Sequence, residues 1–321
     1  MHIIYFILFI FSFIVAFILF PYHIKCFVRR KITGKDMHKK GERMVPEMGG
    51  MVTVFSFSLG IVLLIGWKTF LQKNLPVDIS SLLSVLSVVL IIGLIGIIDD
   101  FLNIRQKIKA IFPLFAALPL SAIKAGTPTM SLPFIGQTYF GILYPLLLVP
   151  IGVTGASNAW NMLAGFNGLE VGMGIIAMIF LSIVAYLIES TTALCILVVA
   201  LGALFATLYY NWYPAKIFIG DAGTLSIGAI IASCVILGNF EKAGVIIIIP
   251  HIVDFLIKLP HKLPESFGLY KDGKLYCPDN NPVGLCQLIM KIFNGISERN
   301  LVLLLMGIET IFGAVAVLVY L

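Results

Sequence analysis

Residues 80–100 read SSLLSVLSVVLIIGLIGIIDD, an apolar run that ends in two adjacent carboxylates, Asp99 and Asp100. About 20 apolar residues are enough for an α-helix to cross the hydrocarbon core of a membrane. Paired acidic side chains near a low-dielectric boundary repel each other and favour a bound cation. The stretch therefore predicts a membrane-spanning helix with a charged site at one end, although a solvated helix end would explain the pair taken alone.

The whole chain has the composition of a membrane protein. Of its 321 residues, 60% are hydrophobic and 12% are charged, whereas soluble domains carry roughly a quarter charged residues. We therefore predict an all-α integral membrane protein in which residues 1–321 form a single transmembrane domain. About ten helices are expected to span the membrane, at residues 2–21, 50–70, 80–98, 109–124, 140–158, 171–188, 191–210, 222–238, 242–258 and 300–320.

The basic residues are distributed unevenly between the loops. Ten spans place both termini on the same side, and 18 of the 22 basic residues then fall in odd-numbered loops. Because cytoplasmic loops carry an excess of Lys and Arg, we predict that the odd loops are cytoplasmic and that both termini lie outside. The net charge of +6 follows from this distribution and does not indicate nucleic-acid binding.

The ninth loop, residues 258–299 before the last helix, is the longest. Its Asp272-Gly273 pair, flanked by short apolar segments, predicts a small β-hairpin. Apolar residues then follow helical spacing, which predicts a short amphipathic helix on the membrane surface. These apolar residues are Leu285, Ile289, Ile292 and Phe293.

Two polar clusters lie at the ends of the central spans, on the predicted cytoplasmic side. The acid pair is followed by the basic residues Arg105, Lys107 and Lys109. Residues 157–170 contain three asparagines, whose oxygens bind hard cations and whose amides can recognise the edge of a base. A polar turn between two helices is the alternative explanation for the second cluster.

Two further clusters lie on the same predicted side. Residues 211–224 include Phe218, which could stack on a base or lie at the membrane interface. They also include Asp221, which could bind a metal ion or cap a helix. His261 and Lys262 lie between two prolines and form a cationic turn suited to a phosphate group, or a basic loop beside the membrane.

The four clusters together provide what phosphoryl transfer requires. Carboxylate and amide oxygens suit Mg²⁺, cationic side chains suit a diphosphate, and an aromatic ring suits a base. The sequence contains no Walker A motif and no G-x-S-x-G motif, so it does not support an ATPase or a serine hydrolase.

At these clusters the sequence resembles the polyprenyl-phosphate N-acetylhexosamine-1-phosphate transferases. The similarity is to the archaeal and eukaryotic type, which uses UDP-N-acetylglucosamine and dolichyl phosphate, and the family's ten-span fold agrees with the predicted spans. The matching stretches occur in the family's order, at residues 34–36, 46–47, 99–105, 109, 158–170, 211–221 and 261–264.

The resemblance implies roles for the residues at the reacting phosphates. Asn161 and Asp221 would bind Mg²⁺, with Mn²⁺ as an alternative ion, and Lys109 would contact the diphosphate. Asp99 and Asp100 would lie beside the reacting phosphates, where one of them could orient or deprotonate the lipid phosphate.

The resemblance also implies how the nucleotide and the sugar are bound. Phe218 would stack on uracil, Asn167 would form a hydrogen bond with its edge, and Glu47 would lie at the rim of the pocket. His261 and Lys262 would line the sugar and phosphate side. The remaining substrate-binding candidates are Asn103, Arg105 and Asn158.

The implied reaction transfers N-acetylglucosamine 1-phosphate from a UDP-sugar to a polyprenyl or dolichyl phosphate and releases UMP. It would be the first membrane step of glycan assembly, at the cytoplasmic face of the plasma membrane of an archaeal-type prokaryote. The sequence departs from the eukaryotic pattern on the sugar side, at Pro260 and Lys262, where those enzymes have arginine, and at Gln106, where they have tryptophan. The exact sugar, the prenyl chain, a direct or covalent mechanism and a homodimeric state are left open.

A membrane transporter or lipid flippase is the alternative function. Asp254 and Glu309 lie inside predicted spans, where ionisable groups can relay protons or ions. Transporters commonly contain internal repeats and bind their substrates near the middle of the membrane. The sequence contains no repeat, and its polar clusters lie at one membrane face, so we favour the enzyme.

Overall fold

The computed structural model describes residues 2–41, 43–102, 104–132 and 136–321. These residues form mainly α-helices. The helices are α1 (His2–Arg29), α2 (Gly50–Gly66), α3 (Ile79–Leu102), α4 (Gln106–Ala116), α5 (Leu118–Ala122), α6 (Val149–Met162), α7 (Leu169–Leu187), α8 (Thr191–Asn211), α9 (Gly220–Gly238), α10 (Glu241–Ile247), α11 (Ile249–Lys258), α12 (Leu285–Ile292) and α13 (Glu298–Leu318).

Seven helices in the described part of the chain are long and apolar enough to cross a membrane. They are α1, α2 with its π-helical end at Trp67–Leu71, α3, α7, α8, α9 and α13. Helices α10 and α11 form an eighth span if they are counted together across a bend of 53°. Pro250 lies in the first turn of α11, where its missing N–H favours such a break.

The two remaining predicted spans correspond to shorter helices. Residues 109–124 lie on α4 and α5, which are separated at Ala117. Residues 140–158 lie on a π-helical segment, Tyr144–Leu148, that continues into α6. The total of ten spans, the side of each loop and the single-domain organisation therefore stay predictions.

Helix α9 lies at the centre of the bundle. Within its membrane-length stretch, 83% of the residues are buried by other parts of the chain, against 28% for α1. It packs against α2, α3, α6 and α8. Because α2, α3 and α6 all meet α9, the polar ends of these helices are brought close together.

Three antiparallel hairpins lie in the loops of the described part of the chain. The first pairs Thr33–Lys35 with Met44–Pro46, and the second pairs Thr129–Leu132 with Gly136–Tyr139. The third pairs Leu269–Lys271 with Lys274–Tyr276 in the ninth loop, around the predicted Asp272-Gly273 turn. Both turn residues have positive φ, 49° and 82°, as a two-residue hairpin loop of type I′ requires.

Helix α12 lies where the ninth loop predicts an amphipathic helix, but its apolar residues face two directions. Leu285 and Ile289 are buried against the protein, whereas Ile292 and Phe293 are exposed. Leu275 and Ile296 form a β-bridge that closes the loop around this helix. Two of the four apolar residues predicted to face the membrane, Leu285 and Ile289, are therefore buried within the protein.

We expect the first and ninth loops to react with a membrane-impermeant maleimide only after cell permeabilisation, because both are predicted to be cytoplasmic. Lys40 and Lys271 are exposed and suit single-cysteine labelling sites, in a background where Cys26 and Cys277 are replaced by serine. Lys73→Cys, in an exposed external loop, is the matched control that should react in intact cells. Strong labelling of position 40 or 271 in intact cells would contradict the topology.

Candidate active site

The acid pair ends α3, but its two members have different surroundings. Asp99 is 8% exposed, and its Oδ1 accepts a hydrogen bond of 2.8 Å from the N–H of Ile104. Asp100 is exposed, and its Oδ1 accepts a hydrogen bond of 3.0 Å from the N–H of Asp221. Gly220 has φ +67°, and a Cβ there would lie 2.7 Å from Asp100 Oδ2. The exposed carboxylate therefore lies directly over the start of α9.

Lys109 joins the buried carboxylate to the start of α9. Its Nζ lies 2.6 Å from Asp99 Oδ2 and also contacts the carboxylate of Asp221. The Asn161 amide lies 2.7 Å from Thr224 Oγ1. With its nitrogen turned towards Asp221 Oδ1 at 3.1 Å, its oxygen lies 3.2 Å from Lys109 Nζ. Residues predicted from four separate helices thus form one polar cluster.

Close helix packing explains how these residues meet. A Cβ on Gly96 of α3 would lie 2.3 Å from the backbone nitrogen of Ala222 in α9. A Cβ on Gly50 of α2 would lie 2.1 Å from the backbone nitrogen of Gly223. Both distances are far below van der Waals contact, so only glycine allows α2 and α3 to approach the first turn of α9 this closely.

The donor atoms suit an open Mg²⁺ site. Within the described ranges, no three His, Cys, Asp or Glu side chains converge as a closed metal cage. Mg²⁺ is usually held by one or two carboxylates together with substrate phosphates, and it prefers oxygen ligands. The Asp221 carboxylate and, with the amide turned as above, the Asn161 oxygen both lie next to Lys109 Nζ. They could therefore hold Mg²⁺ when a diphosphate completes the coordination.

Backbone hydrogen bonds hold Phe218 beside the end of the first loop. Its N–H donates to the Pro46 carbonyl at 2.8 Å, and its carbonyl accepts from the Gly49 N–H at 2.8 Å. Glu47 lies between these two partners, and partial burial raises the pKa of its carboxyl group. The half-buried Phe218 ring and Glu47 therefore belong to one small region. Phe218 also lies shortly before Asp221 in the sequence.

One buried asparagine places Asn167 close to this region. Asn211 Oδ1 accepts a hydrogen bond of 3.1 Å from the N–H of Gly168, and its Nδ2 donates to the carbonyl of Ile217 at 2.9 Å. Gly168 follows Asn167, and Ile217 precedes Phe218. Asn211 therefore clamps the two segments that carry the predicted uracil contacts.

A buried polar cluster that the sequence analysis missed surrounds Asn167. We call it the Asp36 cluster, and it consists of Asp36, His38, Lys39, Asn167 and Glu298. Lys39 and Glu298 are in contact although 259 positions separate them in the sequence. Asp36, His38, Asn167 and Glu298 are each at most 4% exposed. The only sequence signal was that residues 34–36 belong to a matching stretch, because charged loop residues otherwise predict solvent exposure.

We expect His38 to make the protein less stable below pH 6.5. Its Nε2 accepts from the Gly268 N–H at 3.4 Å, and burial together with Lys39 lowers the pKa of His38 to about 4. The unfolded chain binds a proton near pH 6.5, so stability is complete above that pH and is lost as the pH falls towards 4. The loss at pH 5 relative to pH 7 should be about 2 kcal/mol.

Thermal unfolding in detergent at pH 7 and pH 5 measures this effect. His38→Gln should reduce the difference between the two midpoints, whereas His261→Gln, at an exposed position, should leave it unchanged. Equal pH dependence of the wild type and His38→Gln would contradict the assignment of a buried neutral histidine.

Three predicted cationic residues, His261, Lys262 and Arg105, are exposed. His261 ends a short 3-10 turn, Leu259–His261, and its Nδ1 lies 3.1 Å from the Ile257 carbonyl. Lys262 follows with φ +63°, and Arg105 precedes α4. No hydrogen bond or ion pair of the described residues connects these three to the acid pair.

The last two predicted substrate-binding residues are Asn158 and Asn103. Asn158 Nδ2 donates hydrogen bonds of 3.0 Å to the carbonyls of Ala110 and Thr154. It therefore fixes α4, the helix of Lys109, against α6. Asn103 lies outside the residues that the structure describes.

An apolar cavity runs along α6, and no sequence motif predicted it. Its volume is about 570 Å³, and residues of α6, α9, α10 and α11 line it. Asn158 and Met162 lie at the end near the polar cluster, and Tyr144 and Glu241 lie at the other end. Tyr144 donates a hydrogen bond to the Glu241 carboxylate there. The cavity is thus a long apolar groove that begins beside the polar cluster.

Comparison with known proteins identifies relatives over nearly the whole chain. Residues 82–239 match the family described as glycosyl transferase family 4. A Saccharolobus solfataricus protein with the provisional name UDP-N-acetylglucosamine–dolichyl-phosphate N-acetylglucosaminephosphotransferase is 35% identical over 96% of this chain and 94% of its own. The Dictyostelium discoideum protein named UDP-N-acetylglucosamine–dolichyl-phosphate N-acetylglucosaminephosphotransferase is 28% identical over 84% of this chain and 77% of its own.

A bacterial protein with a different substrate in its name is also similar. The phospho-N-acetylmuramoyl-pentapeptide-transferase of Wolbachia pipientis is 30% identical over 76% of this chain and 78% of its own. The matched residues 82–239 include the acid pair, Lys109, Asn161 and Asp221. The chain belongs to glycosyl transferase family 4.

Proposed function

We propose that this protein is a phosphotransferase that moves an N-acetylhexosamine 1-phosphate from a UDP-sugar to a polyprenyl or dolichyl phosphate, releasing UMP. The observation that carries the proposal is the convergence of Asp99, Asp100, Lys109, Asn161 and Asp221 at the ends of four helices. The names of the relatives agree with this reaction. N-acetylglucosamine is the sugar we favour.

In the reaction, an oxygen of the lipid phosphate attacks the phosphorus that carries the sugar. The bond from that phosphorus to the bridging oxygen breaks, and UMP leaves with this oxygen. Mg²⁺, when bound, neutralises charge on the diphosphate. Lys109 contributes a further positive charge, and Asp99 at 2.6 Å orients it. Asp100 is exposed over the start of α9 and would meet the lipid phosphate.

The nucleoside is proposed to bind beside this cluster. Phe218 would stack on uracil, and Asn167 would bind its edge, since Asn211 clamps their two segments together. Exposed His261 and Lys262 belong to the ninth loop and would meet the sugar and its phosphate after that loop moves.

The lipid chain is proposed to occupy the apolar groove along α6. An isoprenoid chain is entirely apolar, and burial of apolar surface stabilises its binding. The groove begins at Asn158, one helical turn from Asn161, so a lipid phosphate at the polar cluster could place its chain there. We propose that the polar end of the groove faces the cytoplasm. We also propose an archaeal-type cell, since a relative from Saccharolobus solfataricus is similar over nearly the whole chain.

The transporter alternative has no support. Asp254 forms an ion pair of 2.7 Å with Lys258, and its Oδ1 accepts from the Leu285 N–H at 2.8 Å. It therefore joins α11 to α12 in a closed contact. Glu309 is fully buried in α13. The relatives quoted above are all named as transferases.

We expect purified protein with Mg²⁺ and a polyprenyl phosphate to release UMP from one member of a UDP-sugar panel. UDP-N-acetylglucosamine is expected to be the best donor. Omitting the lipid phosphate, or chelating the metal, should abolish release. If UMP is released from none of the UDP-sugars under these conditions, the proposed function is wrong.

A further inference from the structure

The side chain of Asn167 is held in one orientation by a carboxylate. Its Nδ2 lies 3.3 Å from Asp36 Oδ2, and the two residues are 3% and 2% exposed. An ionised carboxylate accepts hydrogen bonds and cannot donate them. The amide of Asn167 must therefore turn its nitrogen towards Asp36, and its oxygen is left on the other side.

The backbone of Asn167 is held separately. Its N–H donates a hydrogen bond of 2.9 Å to Glu298 Oε1. The ring of Phe166, the preceding residue, stacks on His38 with 4.5 Å between ring centroids and an angle of 6°. Position and orientation of Asn167 therefore depend on different partners, Glu298 for the backbone and Asp36 for the amide.

Lys39 supplies the positive charge that accompanies both carboxylates. Its Nζ contacts Glu298, lies 3.8 Å from Asp36 Oδ1 and lies 4.0 Å from the centre of the Tyr213 ring. A buried carboxylate needs such a partner, because burial of an unpaired charge is costly. The arrangement therefore places a positive charge beside the carboxylate that accepts from Asn167.

The orientation of Asn167 matters for the base that it meets. Uracil presents a ring N–H donor at N3, whereas cytosine presents a ring nitrogen acceptor at the same position. An amide oxygen can accept from the uracil N–H but repels the cytosine acceptor. A buried site that offers an unmatched polar atom rejects the wrong ligand strongly.

We infer that Asp36 is a specificity-determining residue, which turns the Asn167 amide so that its oxygen accepts from uracil N3 and disfavours cytosine. This inference rests on the proposed function, in which Asn167 meets the base of a uridine nucleotide. Asp36 does not touch the nucleotide and acts through Asn167.

The test compares binding of UDP and CDP to the full-length protein in detergent with Mg²⁺, on the same preparation. The ratio of the two dissociation constants does not depend on the fraction of folded protein. The wild type should prefer UDP by about a hundredfold or more. Asp36→Asn should reduce that preference by about tenfold or more, because an amide at position 36 can donate as well as accept and lets Asn167 turn.

Two further variants separate orientation from general damage. Glu298→Ala should weaken binding of UDP and CDP equally, because it removes the acceptor of the Asn167 N–H and leaves the Asp36 contact in place. The exchanged pair Asp36→Asn with Asn167→Asp should restore the preference for UDP. In that pair the amide introduced at position 36 donates to the carboxylate introduced at position 167, whose other oxygen is again an acceptor for the base.

The outcomes distinguish the inference from the function on which it rests. An unchanged preference for UDP in Asp36→Asn overturns the inference. If Asp36→Asn loses the preference and the exchanged pair does not restore it, the inference is also overturned. Equal binding of UDP and CDP by the wild type overturns the inference and leaves the proposed reaction standing. If the wild type binds no uridine nucleotide, the proposed function fails and the inference fails with it.

Discussion

Replacement of Asp221 by alanine is expected to lower the rate of UMP release about a thousandfold, which corresponds to about 4 kcal/mol of transition-state stabilisation. The carboxylate lies between Lys109 and Asn161, where it would hold the metal that neutralises the diphosphate. Asn161→Ala should cause a comparable loss. The measurement is UMP release at a series of Mg²⁺ concentrations, with folding checked by gel filtration and thermal unfolding.

Asp78→Ala is the matched control, because Asp78 also lies at the start of a helix. Its Oδ2 accepts a hydrogen bond of 2.7 Å from the Ser81 N–H, so it caps α3. Its removal should cost about 1 kcal/mol of stability and leave the activity intact. Near-wild-type UMP release by Asp221→Ala or Asn161→Ala at low Mg²⁺ would contradict the metal assignment and favour a purely structural role.

Asp100→Asn is expected to lower kcat by about a hundredfold near pH 6, with partial recovery at pH 8. The asparagine oxygen can still accept from the Asp221 N–H, so the start of α9 should stay in place. The lipid phosphate has a second pKa near 6 and becomes a dianion as the pH rises. The defect should therefore shrink with increasing pH, because an ionised acceptor does not need a carboxylate to take its proton.

Asp99→Asn should behave differently, because Asp99 is buried and holds Lys109 at 2.6 Å. Its loss removes one of the two carboxylates that hold Lys109 at every pH, so kcat should fall with little recovery at pH 8. The measurement is the pH profile of kcat for both variants and the wild type. Recovery in Asp99→Asn but not in Asp100→Asn would reverse the two roles.

The same pair of carboxylates decides between direct and covalent transfer. We favour direct attack by the lipid phosphate, which predicts that enzyme with UDP-sugar alone releases no stoichiometric UMP. Mass spectrometry should then detect no sugar-phosphate adduct on Asp99 or Asp100. A burst of UMP together with such an adduct would establish the covalent route instead.

Much of the site was predicted because its residues lie at the ends of apolar runs. Asp99 and Asp100 end one run, Asp221 begins another, and Asn161 lies just after a third. A polar side chain at such a boundary stands out against an apolar background, and the resemblance to a family then suggested its role. The resemblance implied that these residues meet the reacting phosphates, and the structure brings Asp99 and Asp221 into contact with Lys109.

The Asp36 cluster and the apolar groove could not be predicted in the same way. Asp36, His38 and Lys39 lie in a charged loop, where sequence alone favours exposure to solvent. Asp36 and His38 are buried, and Lys39 is partly buried, because Glu298 and Asn167, more than 120 positions away, complete contacts with this loop. The groove lies between helices, and a cavity between helices has no signature in the sequence of any one of them.

By itself, the sequence determined that the protein is a helical membrane protein with its polar chemistry at one set of helix ends. Apolar run length and loop charge are local properties, and the membrane acts on each segment separately. Only the tertiary structure decided that Asp100 is exposed while Asp99 is buried, and that Asp36 orients Asn167. Those differences depend on how closely α3 approaches α9 and on which loops meet over them, and such distances arise only when all the helices pack together.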